Sequence, residues 1–509
     1  MTSPIRLAVI TGVMVLATFG WGVGGHAGAA CGLVVGVALL VVPWRGQPLW
    51  SWATLYVRRN RQVVLTDPLS AANDRSGGGV RYQDDVAVVA IQVFGRPHQS
   101  TYFTGSAATE TSNVLDIGSL IPVMRQSLGL IIESISVVSA GARRRATGDY
   151  PRVYDTMIGT PPYAGQRETW LVIRIRALDN GDALRWRTTA GAAALAAAQR
   201  IAMMLRCNGV RARTATATDI VELERRLGRG ALEVHNRRWK GARSDLGWQT
   251  TYAYRPSDIT TENLAQAWSL RADGIVQNVT LFPDGSASAL LTVCTPQPAT
   301  APPAVMLQPL PGQQVQAVQA GLCCPRAEVR GVRSATLRDR LLIPIGPTGV
   351  LLGKTHDGNR LLMPLGDPCE QSRVHIAADD EITKRIVIRA AAAGERVTVH
   401  TTDLKRWESI RMPNVAVLEH PRPASGTTLS VVDGTVPPAP RPSTVISVAG
   451  RGSAGRTPGD VVITQTGPAA IEVDAAGERY DVQVEFFRAE NRYVSRESLV
   501  FEAELETVD

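Results

Sequence analysis

Two uncharged apolar runs at the amino terminus constrain this chain more than any other feature: Leu7–Gly25 (LAVITGVMVLATFGWGVGG) and Ala27–Pro43 (AGAACGLVVGVALLVVP). Each approaches the ~20 residues that a helix needs to cross a hydrocarbon core. Inside lipid every backbone amide and carbonyl has to be satisfied within the segment, so two helices joined by a turn are expected. Gly24, Gly25 and His26 supply that turn. A cleaved signal peptide is the competing reading of the first run. The immediate second run and the lack of a polar, small-residue cleavage region count against it. Gly28, Gly32 and Gly36 share one helix face, which permits close approach of another helix. The plainer account is the general glycine richness of membrane helices.

Flanking charge sets the orientation. Arg6 precedes the first run, Arg45, Arg58, Arg59 and Arg61 follow the second, and the turn carries no Lys or Arg. Both ends therefore belong on the cytoplasmic side. Trp44, Trp50, Trp52 and Tyr56 cluster just past the apolar core, where amphipathic rings favour the headgroup level. Residues 48–61 read as a short helix on the inner membrane surface with arginines toward lipid phosphate. An ordinary helix packed on a soluble domain is the alternative.

The remaining ~450 residues are ordinary for folded protein, because the chain is 44% hydrophobic and 20% charged. Its 509 residues exceed one usual domain. The net charge is +8, and only Lys240, Lys354, Lys384 and Lys405 among 54 basic residues are lysine. That skew suggests a GC-rich genome and limits how far each arginine can be read as chosen for chemistry. A nucleic-acid partner is not expected, since no basic motif interleaves with aromatics. The six cysteines form no C-x-x-C pair, so neither a disulfide framework nor a zinc site is signalled.

Coarse patterning predicts mixed α/β structure. Residues 67–79 are polar and glycine-rich and read as a linker. A strand is predicted over 86–93, a helix over 117–132 and a strand over 134–139. Residues 170–175, the Ala-rich 189–205 and 210–214 read as β-α-β. The pattern recurs at 374–377, 380–393 and 396–400, with acidic residues opening the helix and Gly394 ending it. Strands at 276–281 and 287–293 flank a Pro-Asp-Gly turn. Residues 296–311 are Pro-rich, 421–458 read as a mobile Pro/Gly/Ser/Arg segment, and 461–508 as a small β element. The implied division is 1–62 (transmembrane hairpin and interfacial helix), 63–255 and 256–420 (two α/β halves) and 421–509 (a partly disordered linker and β element).

Motifs for catalysis are scarce. Gly346–Thr355 ends in Gly-Lys-Thr like a P-loop, but Thr348 stands where the first glycine is needed and the flanks read as a hairpin rather than a helix start. Asp379, Asp380 and Glu381 could bind metal, yet they stand where a helix begins and more simply cap it. The seven histidines show no metal-ligand spacing. No catalytic, cofactor-binding or metal residue is assigned, and no cofactor is expected.

The chain resembles the EccE family, membrane components of mycobacterial type VII (ESX) secretion systems. The resemblance rests on the hairpin with its Arg-rich exit, on 167–173 (RETWLVI) and the Ala-rich helix, on 341–353 (LLIPIGPTGVLLG), and on 386–394 (IVIRAAAAG) with 397–399 (VTV). It covers most of residues 1–420. It implies a non-enzymatic scaffold subunit of the inner-membrane secretion complex, multi-pass with both termini and the bulk of the chain in the cytosol. EccB, EccC, EccD and membrane lipid are the implied partners. It further implies a degenerate glycosyltransferase-like α/β fold in the cytosolic region. A membrane-anchored glycosyltransferase-like enzyme is the alternative function.

Overall fold

The computed structural model describes residues 3–41, 43–44, 47–60, 62–72, 77–105, 107–337, 339–434, 436–452 and 459–494. Arg45, Arg61 and the last part of the expected carboxy-terminal β element lie outside them.

The apolar amino terminus is helical over Ser3–Val41, and within it Ile10–Ala38 is long and apolar enough to cross a membrane. Helical geometry breaks at Gly24 (φ −137°, ψ 23°) and Gly25 (φ 55°, ψ −139°), the second a conformation open mainly to glycine. The chain folds back there. In a straight helix Gly20 and Gly28 would stand about 12 Å apart along the axis. Instead, a Cβ on either would collide with the other's carbonyl oxygen, and one at Gly32 would strike the carbonyl of Leu16. The glycine stripe therefore sits where the two arms touch.

Two twelve-stranded sheets make up most of the rest. The first is antiparallel; nine of its strands run in the order 242–244, 247–254, 286–295, 274–281, 134–142, 166–176, 86–94, 77–83, 69–72, and 211–214, 307–309 and 335–336 pair off that path with 86–94, 247–254 and 286–295. Both faces are covered, which is why Val86–Phe94 reads as a continuous apolar run. Ala87, Val89, Ile91 and Val93 join the core beneath helix Ala190–Cys207, while Val86, Val88 and Ala90 join the core on the opposite face. Thr189 caps that helix by accepting from the Ala192 amide at 3.0 Å. The expected β-α-β unit is split. Strands 166–176 and 211–214 both pair antiparallel with 86–94, which lies between them.

Three local expectations are corrected. In the stretch expected to be a linker, Leu69–Ala72 and Gly77–Gln83 pair as antiparallel edge strands, and the Gly79 amide donates to the Ala215 carbonyl at 2.7 Å. Residues 117–132 make three short 3-10 turns in place of a helix. Pro122 opens one of them, and Leu128 and Gly129 adopt positive φ (56° and 74°). The sheet also runs on past residue 255, since Gly247–Tyr254 pairs with Ser286–Thr295.

The second sheet has a parallel part in the order 415–418, 397–401, 429–433, 444–449, 372–377, 461–465, then antiparallel strands 470–475, 478–483, 350–355, 360–363, 101–104 and 108–111. Strands Leu429–Asp433 and Thr444–Ala449 come from the stretch expected to be mobile. Leu429, Val431 and Ile446 are fully buried there, so short apolar clusters inside a Pro- and Ser-rich sequence suffice for strands in mid-sheet. Helix Asp380–Ala393 covers this sheet and is buried from Ile382 onward, Lys384, Arg385 and Arg389 included.

Segments of the first half cross over to the second. Thr101–Thr104 pairs with Arg360–Leu362, and helix Tyr150–Ile158 packs on helix Asp380–Ala393. The Arg211 guanidinium grips the Asp367 carboxylate at 2.7 and 2.9 Å across the same junction.

Candidate functional site at the membrane exit

The chain leaves the apolar arms through a tight pairing of Pro43–Trp44 with Gln47–Pro48 and enters helix Leu49–Arg58. This exit helix has two faces. Ser51 and Leu55 are buried against the first-sheet domain, whereas Ala53, Tyr56 and Val57 face outward, Val57 at 80% exposure. One face thus packs on the domain, as the alternative reading of this segment had it, and apolar side chains stay exposed on the other.

Arg330 holds the packed face. Its Nη1 donates to Ser51 Oγ (3.1 Å) and Thr54 Oγ1 (2.7 Å), and its guanidinium lies 5.3 Å from the Trp50 ring. The Arg330 main chain is itself fixed, because its amide donates to Gln313 Oε1 at 2.6 Å and its carbonyl accepts from Gln313 Nε2 at 2.9 Å. Trp239 completes the clamp with ring centroids 6.1 Å from Trp52 and 6.5 Å from Tyr56. Its other side rests on Gly312, where φ is +75° and a Cβ would stand 2.8 Å from the indole. A side chain there would displace the ring.

Beside the clamp opens a cavity of about 710 Å³. Its walls come from the exit helix (Trp52), the strand Gly247–Tyr254 (Thr250, Tyr252, Tyr254), the Pro-rich 299–311 stretch and the 330–333 loop. Lys240, Arg330 and Arg333 line it, and among the described residues none of those lining it is acidic. The sequence signalled the aromatic exit, but it gave no sign that Lys240 meets Arg330 and Arg333, some ninety residues further along the chain, there.

The positions weighed for catalysis lie elsewhere. Val350–Thr355 is a strand paired with Arg360–Met363 and joined to it by a turn at 356–359, the hairpin expected in place of a P-loop. Lys354 meets Glu485 at 3.1 Å, so its ammonium is neutralised within the fold. Asp379, Asp380 and Glu381 stand at the start of helix Asp380–Ala393 as anticipated, but the Asp379 side chain makes no capping hydrogen bond and accepts from Gln465 Nε2 at 2.9 Å instead. That start lies at the carboxyl edge of the parallel strands, where open α/β sheets place ligands. At this edge Arg406 is bonded to Asp380 (2.9 Å) and Asp433 (2.8 Å), and Trp407 Nε1 donates to Asp433 at 2.6 Å. Carboxylates at the helix start also oppose an anionic ligand. Among the described residues no group of three His, Cys, Asp or Glu could hold a metal ion. Cys323 and Cys324 are fully buried, and burial pushes the Cys324 thiol up to about 11, far from a reactive thiolate.

Comparison with known proteins decides the family. Residues 163–254 match the model described as "Putative type VII ESX secretion system translocon, EccE". The ESX-2 secretion system protein EccE2 of Mycobacterium tuberculosis is 50% identical over 97% of this chain and 96% of its own length. The chain belongs to the EccE family. More distant members match less of it. EccE1 of the M. tuberculosis ESX-1 system is 28% identical over 72% of the chain and 75% of that protein. EccE5 of the Mycobacterium marinum ESX-5 system is 25% identical over 38% and 50%. The span matched by the EccE model includes the split β-α-β unit and also Trp239, Lys240 and the strand Gly247–Tyr254, one wall of the exit cavity.

Proposed function

We propose that this EccE-family chain is a non-catalytic scaffold subunit of a type VII secretion membrane complex, held by both apolar arms as a hairpin across the cytoplasmic membrane. The observation that carries this reading is the clamp of Arg330 and Trp239 on the exit helix. It couples the apolar arms to a body of two sheets that are themselves tied together. A subunit that fixes positions in an assembly needs such stiffness. The arms Ser3–Val23 and His26–Val41 would span about 31 and 24 Å at 1.5 Å per residue. With arginines flanking the hairpin and none in its turn, the strand-rich region lies in the cytosol. EccB, EccC and EccD are the partners this placement implies. The 50% identity to an ESX-2 member favours an ESX-2-type complex. The enzymatic alternative is disfavoured because Arg406, at the carboxyl edge of the parallel sheet, is bonded to two carboxylates there.

The test is mild-detergent extraction of tagged chain from its native membrane, followed by a native gel and identification of co-migrating proteins. Co-migration with other ESX membrane components in one large species is expected. A lone monomer that binds sugar nucleotide would overturn the scaffold reading.

A further inference from the structure

The exit cavity has the makings of a ligand site beyond the scaffold role. Three cationic side chains, Lys240, Arg330 and Arg333, converge on about 710 Å³ of concave space that no carboxylate among the described residues lines. Lys240 and Arg333 are exposed at the mouth and form no ion pair among the described residues. Elsewhere the chain pairs its arginines freely with carboxylates, for example Arg226 with Glu168 and Arg211 with Asp367. Cations gathered in a concave site with low-dielectric walls focus a positive potential into it. The neutral walls combine apolar surface from Trp52, Pro309 and Pro311 with the hydroxyls of Thr250 and Thr300. This pairing of cations, hydroxyls and apolar wall suits a phosphate ester attached to a lipid backbone.

Position selects the lipid over a free phosphate. Trp52 belongs to the exit helix, which begins at Leu49, only eight positions after the apolar arm ends at Val41, and packs against that arm. The tight pairing of Pro43–Trp44 with Gln47–Pro48 shortens the path further. The cavity wall thus stands beside the point where the chain leaves the apolar arm.

We propose that the exit cavity binds the phosphate headgroup of an anionic phospholipid from the cytoplasmic leaflet, with Lys240 and Arg333 as its mobile contacts and Arg330 as the fixed one. This rests on the reading that the apolar arms lie in the membrane.

The experiment uses the full chain reconstituted into nanodiscs of phosphatidylcholine doped with dioleoylphosphatidylglycerol, with native mass spectrometry counting retained lipid. Wild type is expected to retain phosphatidylglycerol over phosphatidylcholine, and K240Q/R333Q to lose about thirtyfold in that preference, roughly fivefold per cation removed. R152Q/R422Q removes the same charge from exposed sites elsewhere and should behave as wild type. Equal retention of both lipids by wild type, or an unchanged preference in K240Q/R333Q, overturns the assignment. Displacement of phosphatidylglycerol by millimolar inorganic phosphate would overturn the lipid as source and leave a simple anion site. Release of the chain from native membranes by alkaline carbonate would instead overturn the membrane reading itself.

Discussion

Replacing Arg389 with methionine should open the second sheet locally, and the geometry sets the size of the effect. Arg389 lies in the middle of helix Asp380–Ala393 and Glu490 near the end of the described chain, both with fully buried side chains. Nε and Nη2 of Arg389 each donate to the Glu490 carboxylate at 2.8 Å, and further donations reach the carbonyls of Leu351 (3.1 Å) and Glu485 (2.6 Å). The Tyr150 hydroxyl donates to the same carboxylate at 2.7 Å. Removing one partner of a buried pair costs about 3–5 kcal/mol, because the survivor stays buried and charged. Arg385 Nε, 3.5 Å from Glu490, remains to shield it and places the cost near the lower end, about 3 kcal/mol. At about 1.4 kcal/mol per factor of ten, local opening becomes roughly a hundredfold more frequent. Hydrogen exchange of the full chain in detergent reads this directly as lost protection in 350–355 and 380–393. The double variant R389M/E490L removes both charges and should recover most of the protection. Protection within threefold of wild type in R389M, or a double variant no better than the single, would refute the claim that the pair locks this segment.

Other consequences can be checked alongside. Gly28→Leu and Gly32→Leu place side chains where the two arms touch and should weaken recovery of the intact secretion complex on a native gel, whereas Gly22→Leu, where no atom stands in the way, should not; equal behaviour of all three would refute the packing. Arg330→Ala removes both hydroxyl contacts to the exit helix, and hydrogen bonds from a charged donor contribute about 1.5–3 kcal/mol together with their burial. Faster tryptic cleavage near Arg58 and Arg59 is expected, and an unchanged digest would count against the clamp. Acidification should destabilise the second sheet. Burial holds His375 and His400 below the ordinary imidazole value, so the unfolded chain binds more protons. The stability they contribute is complete above about pH 6.5 and is lost as pH falls through their depressed folded values. His400 is fixed by the His420 carbonyl (2.9 Å) and Ser430 Oγ (3.0 Å). The thermal midpoint of wild type should therefore drop between pH 7.5 and 5.5 and that of H400Q should drop less, while a midpoint that rises on acidification would refute the sign.

Where local signals were strong, the sequence sufficed. Acidic residues before Ile382 and glycine at 394 bracket helix Asp380–Ala393 as read, and Pro283-Asp284-Gly285 turns between the strands anticipated on either side. The Gly-Lys-Thr stretch proved legible as a hairpin because branched apolar residues precede it and Asp357–Gly358 follow. Failures came where pairing is remote. Strands 429–433 and 444–449 are short and lie amid prolines, so their window averages out as polar, yet strands at 397–401 and 372–377 recruit them from either side. Likewise nothing local says that 101–104 leaves the first sheet's neighbourhood to pair with 360–362. The exit cavity was illegible for the same reason. Lys240, Trp52, Arg330 and the 299–311 stretch are remote in sequence and meet only in the folded structure.

The arginines carry the deepest correction. Their abundance reads as codon bias, yet Arg81, Arg143, Arg174, Arg385 and Arg389 are among the largest fully buried side chains. A visible clue existed: Arg174 interrupts an apolar strand (WLVIRI) and Arg389 a buried helix (IVIRAAAA), positions that composition alone does not fill. All five join segments far apart in sequence, Arg385 by donating to Asn491 Oδ1 at 2.8 Å. Arg81 bonds Glu224 and the Cys323 carbonyl, Arg143 the Trp268 carbonyl, Arg174 the carbonyls of Ala320, Leu322 and Cys324, and Arg389 reaches Glu490. Such contacts contribute little net stability against an apolar replacement, but each is costly to break one-sidedly. A fold stapled this way resists partial opening more than it gains in total stability. That property suits a subunit proposed to hold position between a membrane hairpin and its cytosolic neighbours, and it would burden an enzyme that has to open and close around a substrate.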